Sequence, residues 1–241
     1  FRMWKKHIRG AFFTQSVFLI TDRKNHIYNR RNVVKWRKRK SAENGETADL
    51  EKEETNMYFG VQMYGVSKEW KQDPEGFLKK IYEAGYRQIE PCLGFRVDAR
   101  DYGFWIPEDL EQAMPLLAKY HIEVHAVHIF LDEYHYEREL AILTELAQKY
   151  HISWFVVKSP ARLTKDVLDE TVARYRELAE ELEKAGAGLL VHNEKEDICI
   201  RVNGKTAYEY LLEACGEKVG AEVDAGWMYC GGVDPEEVLW A

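Results

Sequence analysis

Six short apolar runs in this chain end on side chains that can hold a metal or move a proton. Gln62 and Tyr64 close the first; Glu90, His128 and Lys158 follow; His192, Asn193 and Glu194 close the fifth; Asp224 and Trp227 close the sixth. Each residue alone has a plain structural reading: Glu90 before Pro91 serves equally as a loop cap, and Lys158 as a solvated charge. Their joint placement is the signal. Imidazole and carboxylate from neighbouring runs suit a divalent cation, with other positions open to water or a sugar's oxygens, and His192 with Asp224 carries that reading as a metal pair. The alternative is that His192 and Asn193 fix a loop by hydrogen bonds. His125 and His128 cannot share an ion directly, because residues three apart on a strand face opposite sides. His128, nearer the run's end, reads evenly as a substrate contact or a hydrogen-bonded core histidine. Trp227 suits the C–H face of a sugar or simple cover for the core.

The elements that must position these groups are legible from Met57 onward. The β-rich runs "YFGVQMYGV", "YRQIEPC", "IEVHAVHIF", "ISWFVVKS", "GLLVHNE" and "VGAEVDAGW" alternate with longer amphipathic segments. Asp73-Pro74 and Asp234-Pro235 each place a capping side chain before a proline at a first helical position, and Asp234 with Glu237 forms a capping-box pair. Gly85, Gly186 and Gly216 stand where helices should stop, and Pro115 predicts a kink or a late start in its helix. Strict alternation of strand and helix implies a parallel sheet with helices outside. Neither G-x-G-x-x-G after the first strand nor a P-loop is present. The absence favours a TIM (β/α)8-type barrel, of which about six β/α units are present, over an open nucleotide-binding sheet. In such barrels the reactive groups gather at the C-terminal ends of the strands.

Charge divides the chain. Residues 1–40 carry 13 Lys and Arg against one acid, residues 41–56 one against six, and residues 57–241 twenty against 34. Residues 1–56 therefore read as a basic, then acidic, N-terminal extension, disordered or foreign to the rest of the chain, and residues 57–241 as an incomplete barrel. "RRNVVKWRKRK" also fits an arm for nucleic acid or anionic lipid. The acidic body argues against a broad nucleic-acid surface. Cys92, Cys199, Cys215 and Cys230 stand far apart with no C-x-x-C pair, which predicts reduced thiols in a cytoplasmic protein. "AFFTQSVFLI" is too short and too polar to span a membrane. Six strands alone leave unpaired edges on the first and last, which invites association with another copy.

The stretches "GVQMYGV", "LLVHNEKED" and "EVDAGWMYCGGVDPEEV" resemble, in order and spacing, the xylose-isomerase-like sugar phosphate isomerase/epimerase family, a TIM-barrel family, over Met57 to Ala241. The resemblance implies a divalent metal (manganese, cobalt, magnesium or zinc) held at the ends of the later strands. On it, Asp224 matches the sixth-strand metal aspartate, and His192 stands where many members have a glutamate ligand. Glu194 replaces a histidine common in one branch and becomes the acid/base candidate. Glu90, His128, Asn193 and Trp227 become contacts to the substrate. The implied activity is isomerisation or epimerisation of a sugar, sugar phosphate or polyol, by proton transfer through an enediolate. The rivals are a metal-assisted dehydratase or hydrolase of an oxidised sugar, and a non-catalytic or inactive sugar-binding fragment. The resemblance also implies a seventh-strand histidine and an eighth-strand glutamate with no counterpart before Ala241.

Overall fold

The computed structural model describes residues 17–21, 57–131 and 135–234. Its wall is mostly parallel, built from two hydrogen-bonded sheets whose strands follow chain order. It begins with β1 (Val17–Thr21) and β2 (Met57–Gln62), which pair antiparallel with Thr21 opposite Met57. Five residues of the extension thus form a strand where the sequence shows no fold pattern; the rest of that segment, with its basic arm, lies outside the described residues.

From β2 onward every neighbour in the wall is parallel. The second stave comprises β3 (Gln88–Glu90) and β4 (Cys92–Gly94); the third, β5 (Glu123–Val124) and β6 (Ala126–Phe130). Then come β7 (Trp154–Lys158), β8 (Gly188–His192) and, after a side hairpin of β9 (Arg201–Val202) and β10 (Lys205–Thr206), β11 (Val219–Glu222). Pro91 splits the second stave because it has no N–H for the ladder. The third splits at His125, whose carbonyl takes the N–H of both Ser153 and Trp154.

The helices are α1 (Ser67–Gln72), α2 (Pro74–Glu83), α3 (Pro107–Lys119), α4 (Tyr136–Tyr150), α5 (Lys165–Lys184), α6 (Lys195–Cys199), α7 (Ala207–Cys215) and α8 (Ala225–Cys230). Their ends have identifiable causes. Asp73 Oδ1 accepts from Gly76 N at 2.9 Å, with Pro74 as the first helical residue of α2. The same helix closes when Tyr86 N–H donates to Ile81 O and Gly85 N–H to Tyr82 O, with Gly85 at φ +96°, a left-handed turn that costs a glycine little. Helix α3 runs from Pro107 through Pro115 to Lys119, so Pro115 neither delays nor ends it. The Asp234 cap and its partner Glu237 fall where residues 235–241 lie outside the described part.

Burial follows the two periodicities. On α2 the buried positions Phe77, Leu78 and Ile81 form one stripe, and on β7 Phe155, Val156 and Val157 are all buried, as a strand covered on both faces requires. Gly188 faces Trp154 in register; a Cβ there would stand 2.3 Å from the indole, so the close approach of β7 and β8 depends on glycine. This packed wall fixes the strand ends to which the polar groups belong. Among the described residues no helix is long and apolar enough to cross a membrane.

Candidate functional site

Four strands deliver four ionisable side chains into the interior, close to one another. Glu90 ends β3, His128 lies in β6, His192 ends β8 and Glu222 ends β11, and all four are buried. His192 and Glu222 are a register pair, with Nδ1 2.9 Å from Oε1. The His128 and His192 rings meet edge to face at 5.3 Å. One ligating atom from each of His128, His192 and Glu222 falls within 4.8 Å of the others. Glu90 adjoins through Oε1, 3.5 Å from His128 Nδ1, too far for a hydrogen bond.

Burial dominates the electrostatics. It pushes the Glu90 carboxyl up to about 8, against the pull of His192 and a hydrogen bond with Glu222. Burial, then the charge of Glu90, drives Glu222 well above the carboxylate range. It also depresses both imidazoles to about 4, helped for His128 by Lys158 and for His192 by His128. Neutral imidazoles are metal ligands. Apart from the proton that Glu222 can share with Glu90, neither Glu90 oxygen, nor His128 Nδ1, has a hydrogen-bond partner. Without a cation, only a proton on Glu222 gives Glu90 a partner, since two adjacent buried carboxylates repel. Two neutral nitrogens and two acidic oxygens, some left without partners, form a donor set that fits a divalent cation.

The sequence candidates occupy different depths. Asp224, just past β11, caps α8 through Oδ1, which accepts from Trp227 N at 2.8 Å. Its Oδ2 stands 4.0 Å from His192 Nε2, so the carboxylate borders the buried set. Asn193 is fully buried: its Oδ1 accepts from Asp224 N at 2.8 Å and its Nδ2 donates to Asp224 O at 3.2 Å. That two-point clamp continues the β8–β11 pairing beyond the strands. Glu194 starts α6, its N–H donating to Asp197 Oδ2 at 2.8 Å; the half-buried Glu194 carboxyl is held above the usual range by burial. Trp227 is 40 % exposed at the rim. Lys158, in register with His192, holds its ammonium 5.8 Å from the centre of the Phe130 ring. Phe130 stacks on Phe104 at 4.2 Å and on His128 at 5.2 Å, giving the mouth an aromatic wall that reaches out to the exposed Tyr64.

Two residues of this site carry no signal that the sequence reading caught. Glu222 is a carboxylate inside the apolar run "VGAEV", two positions before Asp224. Tyr208 of α7, also buried, shares its O–H between Val191 O at 2.9 Å and Glu222 O at 3.1 Å, tying together the strands that carry His192 and Glu222. Nothing local in "TAYEY" marks that role.

No family model matches the chain. No curated protein matches it by sequence. Solved structures do match. A sugar phosphate isomerase/epimerase from Parabacteroides distasonis superposes with a TM-score of 0.62 at 20 % identity, covering 81 % of this chain and 75 % of that one. A probable 3-DHS dehydratase, AsbF, from Bacillus anthracis gives 0.54 at 15 % identity, covering 75 % and 68 %. A xylose isomerase domain containing protein from Salmonella typhimurium gives 0.53 at 14 %, covering 74 % and 64 %. At such identities the likeness defines the fold: this chain has the architecture of the xylose isomerase-like TIM barrels. It spans roughly two thirds to three quarters of the length of these structures.

Proposed function

We propose that the protein is a metal-assisted isomerase or epimerase of a sugar, sugar phosphate or polyol derivative, working by proton transfer between neighbouring carbons. The observation that carries this reading is the buried set His128, His192 and Glu222 on the strands of a xylose isomerase-like barrel. The names of the solved structures with this fold support the substrate class.

His192 and Glu222 would hold the divalent ion, with His128 beside them and Asp224 bordering the set. The divalent ion they would hold would supply Lewis-acid polarisation of a sugar carbonyl and its neighbouring hydroxyl. The chain's own residues supply the rest. Glu194, half-buried and with a raised carboxyl pKa, would take a proton from one carbon and return it to the next. Trp227 and the Phe104–Phe130 wall present apolar faces to a sugar ring. Asn193 positions Asp224 through its backbone. His128 and Glu90, both buried, would help keep water from the reacting end.

The test is product analysis. The full chain, loaded with manganese or cobalt, is incubated with a panel of ketoses and ketose phosphates, and the products are resolved by chromatography. An epimeric or isomeric sugar supports the reading. An unsaturated product would replace it with dehydration, and no product from any panel member would remove it.

A further inference from the structure

We infer that Glu90 completes a four-donor cation centre with His128, His192 and Glu222, deeper in the barrel than the strand-end carboxylate Asp224. This rests on the metal-assisted reading above but locates the ion differently from the His192–Asp224 pair read from the sequence.

Three observations carry it. First, Glu90 is 2 % exposed, and its carboxylate oxygens have no donor beyond the proton that Glu222 can share with it, in an interior where that is costly. Second, its Oε1 points at His128 Nδ1, 3.5 Å away, and that nitrogen is also unpartnered, so the two face one another as atoms awaiting a common partner. Third, Asp224 already accepts the Trp227 N–H at the start of α8, and its backbone is fixed by Asn193. One oxygen of that carboxylate is thus committed to the cap, whereas Glu90 and Glu222 are buried beside the two imidazoles.

The donor chemistry selects the ion. Two imidazole nitrogens and two carboxylate oxygens suit zinc or cobalt in a four-coordinate arrangement, and two carboxylate charges balance a divalent ion. Magnesium, which requires near-octahedral oxygen ligation and keeps several waters, is disfavoured at a site where two of the donors are nitrogens. The centre is therefore a nitrogen- and oxygen-ligated site selective for zinc or cobalt over magnesium.

The test uses the full chain and Co2+ itself, titrated in competition with a chelator while the visible d–d bands are recorded. Wild type is expected to take up one Co2+ per chain with the intense bands of four-coordinate cobalt, displaced by Zn2+ and not by a large excess of Mg2+. Glu90→Gln should weaken binding by roughly tenfold or more and change the bands, while Asp224→Asn should stay within about threefold of wild type. His128→Gln, expected to behave as Glu90→Gln does, carries the test if Glu90→Gln fails to fold, and circular dichroism identifies that case. Failure of wild type to bind Co2+ or Zn2+ would overturn the centre. So would wild-type binding in folded Glu90→Gln and His128→Gln chains alongside loss of binding in Asp224→Asn. A chain that binds Co2+ through Glu90 yet turns over no sugar supports the centre while removing the isomerase reading.

Discussion

His192 Nδ1 lies 2.9 Å from Glu222 Oε1, across the last register pair of β8 and β11. An imidazole and a carboxyl separated by 30 residues in the chain are thus brought within bonding distance by strand pairing alone, in the interior of the wall. Everything proposed for the site depends on that pair keeping its spacing, and several devices near it do so.

Replacing Glu222 separates its electrostatic role from its packing role. Glu222→Gln keeps the shape and removes a carboxyl that is costly to bury, so the variant should melt at or above the wild-type temperature in chelator. Adding zinc at about 100 times its dissociation constant should stabilise wild type by roughly 2.7 kcal/mol and the variant far less. Equal stabilisation of both chains would show that Glu222 is no ligand.

Tyr208→Phe removes one O–H that serves Val191 O and Glu222 O while preserving the ring in the core. A loss of about 1–2 kcal/mol in denaturant unfolding is expected for such a buried donor. Weaker zinc binding should accompany it, because the two tied strands carry His192 and Glu222. A stability loss with unchanged zinc affinity would make Tyr208 a fold residue only.

Asn193→Ala deletes both bonds to the Asp224 backbone and leaves a peptide N–H and a carbonyl facing a small void. The cost should be about 2–3 kcal/mol. Amide hydrogen exchange at Asp224 should accelerate more than exchange in the centre of β8. Uniform acceleration along β8 would contradict the clamp.

Away from the site, Asp109 tests the electrostatics of the α3 start. Its carboxylate takes two bonds from Arg100, at 2.8 and 2.7 Å, and one from Ile106 N at 3.0 Å. Burial alone would raise its pKa, but these bonds and the Arg100 charge outweigh it and hold the carboxyl below the usual range. A depressed carboxyl stabilises the fold above its unfolded pKa and loses that contribution as pH falls through the folded value. The wild-type advantage over Asp109→Asn should therefore be present at neutral pH and decline as the pH falls below about 4. With Arg100 partly exposed, the neutral-pH advantage should be about 1 kcal/mol. An unchanged advantage at acid pH would mean that the charge plays no part.

The fold was legible because its signals are local. Apolar runs of strand length alternated with amphipathic segments, Asp73-Pro74 announced α2, and Gly85, Gly186 and Gly216 stand at positive φ where helices end. Asn203-Gly204, both at positive φ, make the turn of the β9–β10 hairpin; that dipeptide is a strong turn signal and would have revealed the hairpin. The site was legible only in outline. Strand ends pointed to Glu90, His128 and His192, but Glu222 has meaning only through its register with His192. The employment of Asn193 and Asp224 on each other is a contact across 31 residues that no local pattern encodes.

The most direct measurement is anomalous diffraction from crystals of the full chain soaked in Co2+, collected at the cobalt edge. The account predicts one peak enclosed by His128, His192 and Glu222, with Glu90 turned toward it. No peak in the barrel, or one held by Asp224 and Glu194 at the rim with the buried set unchanged, would contradict it.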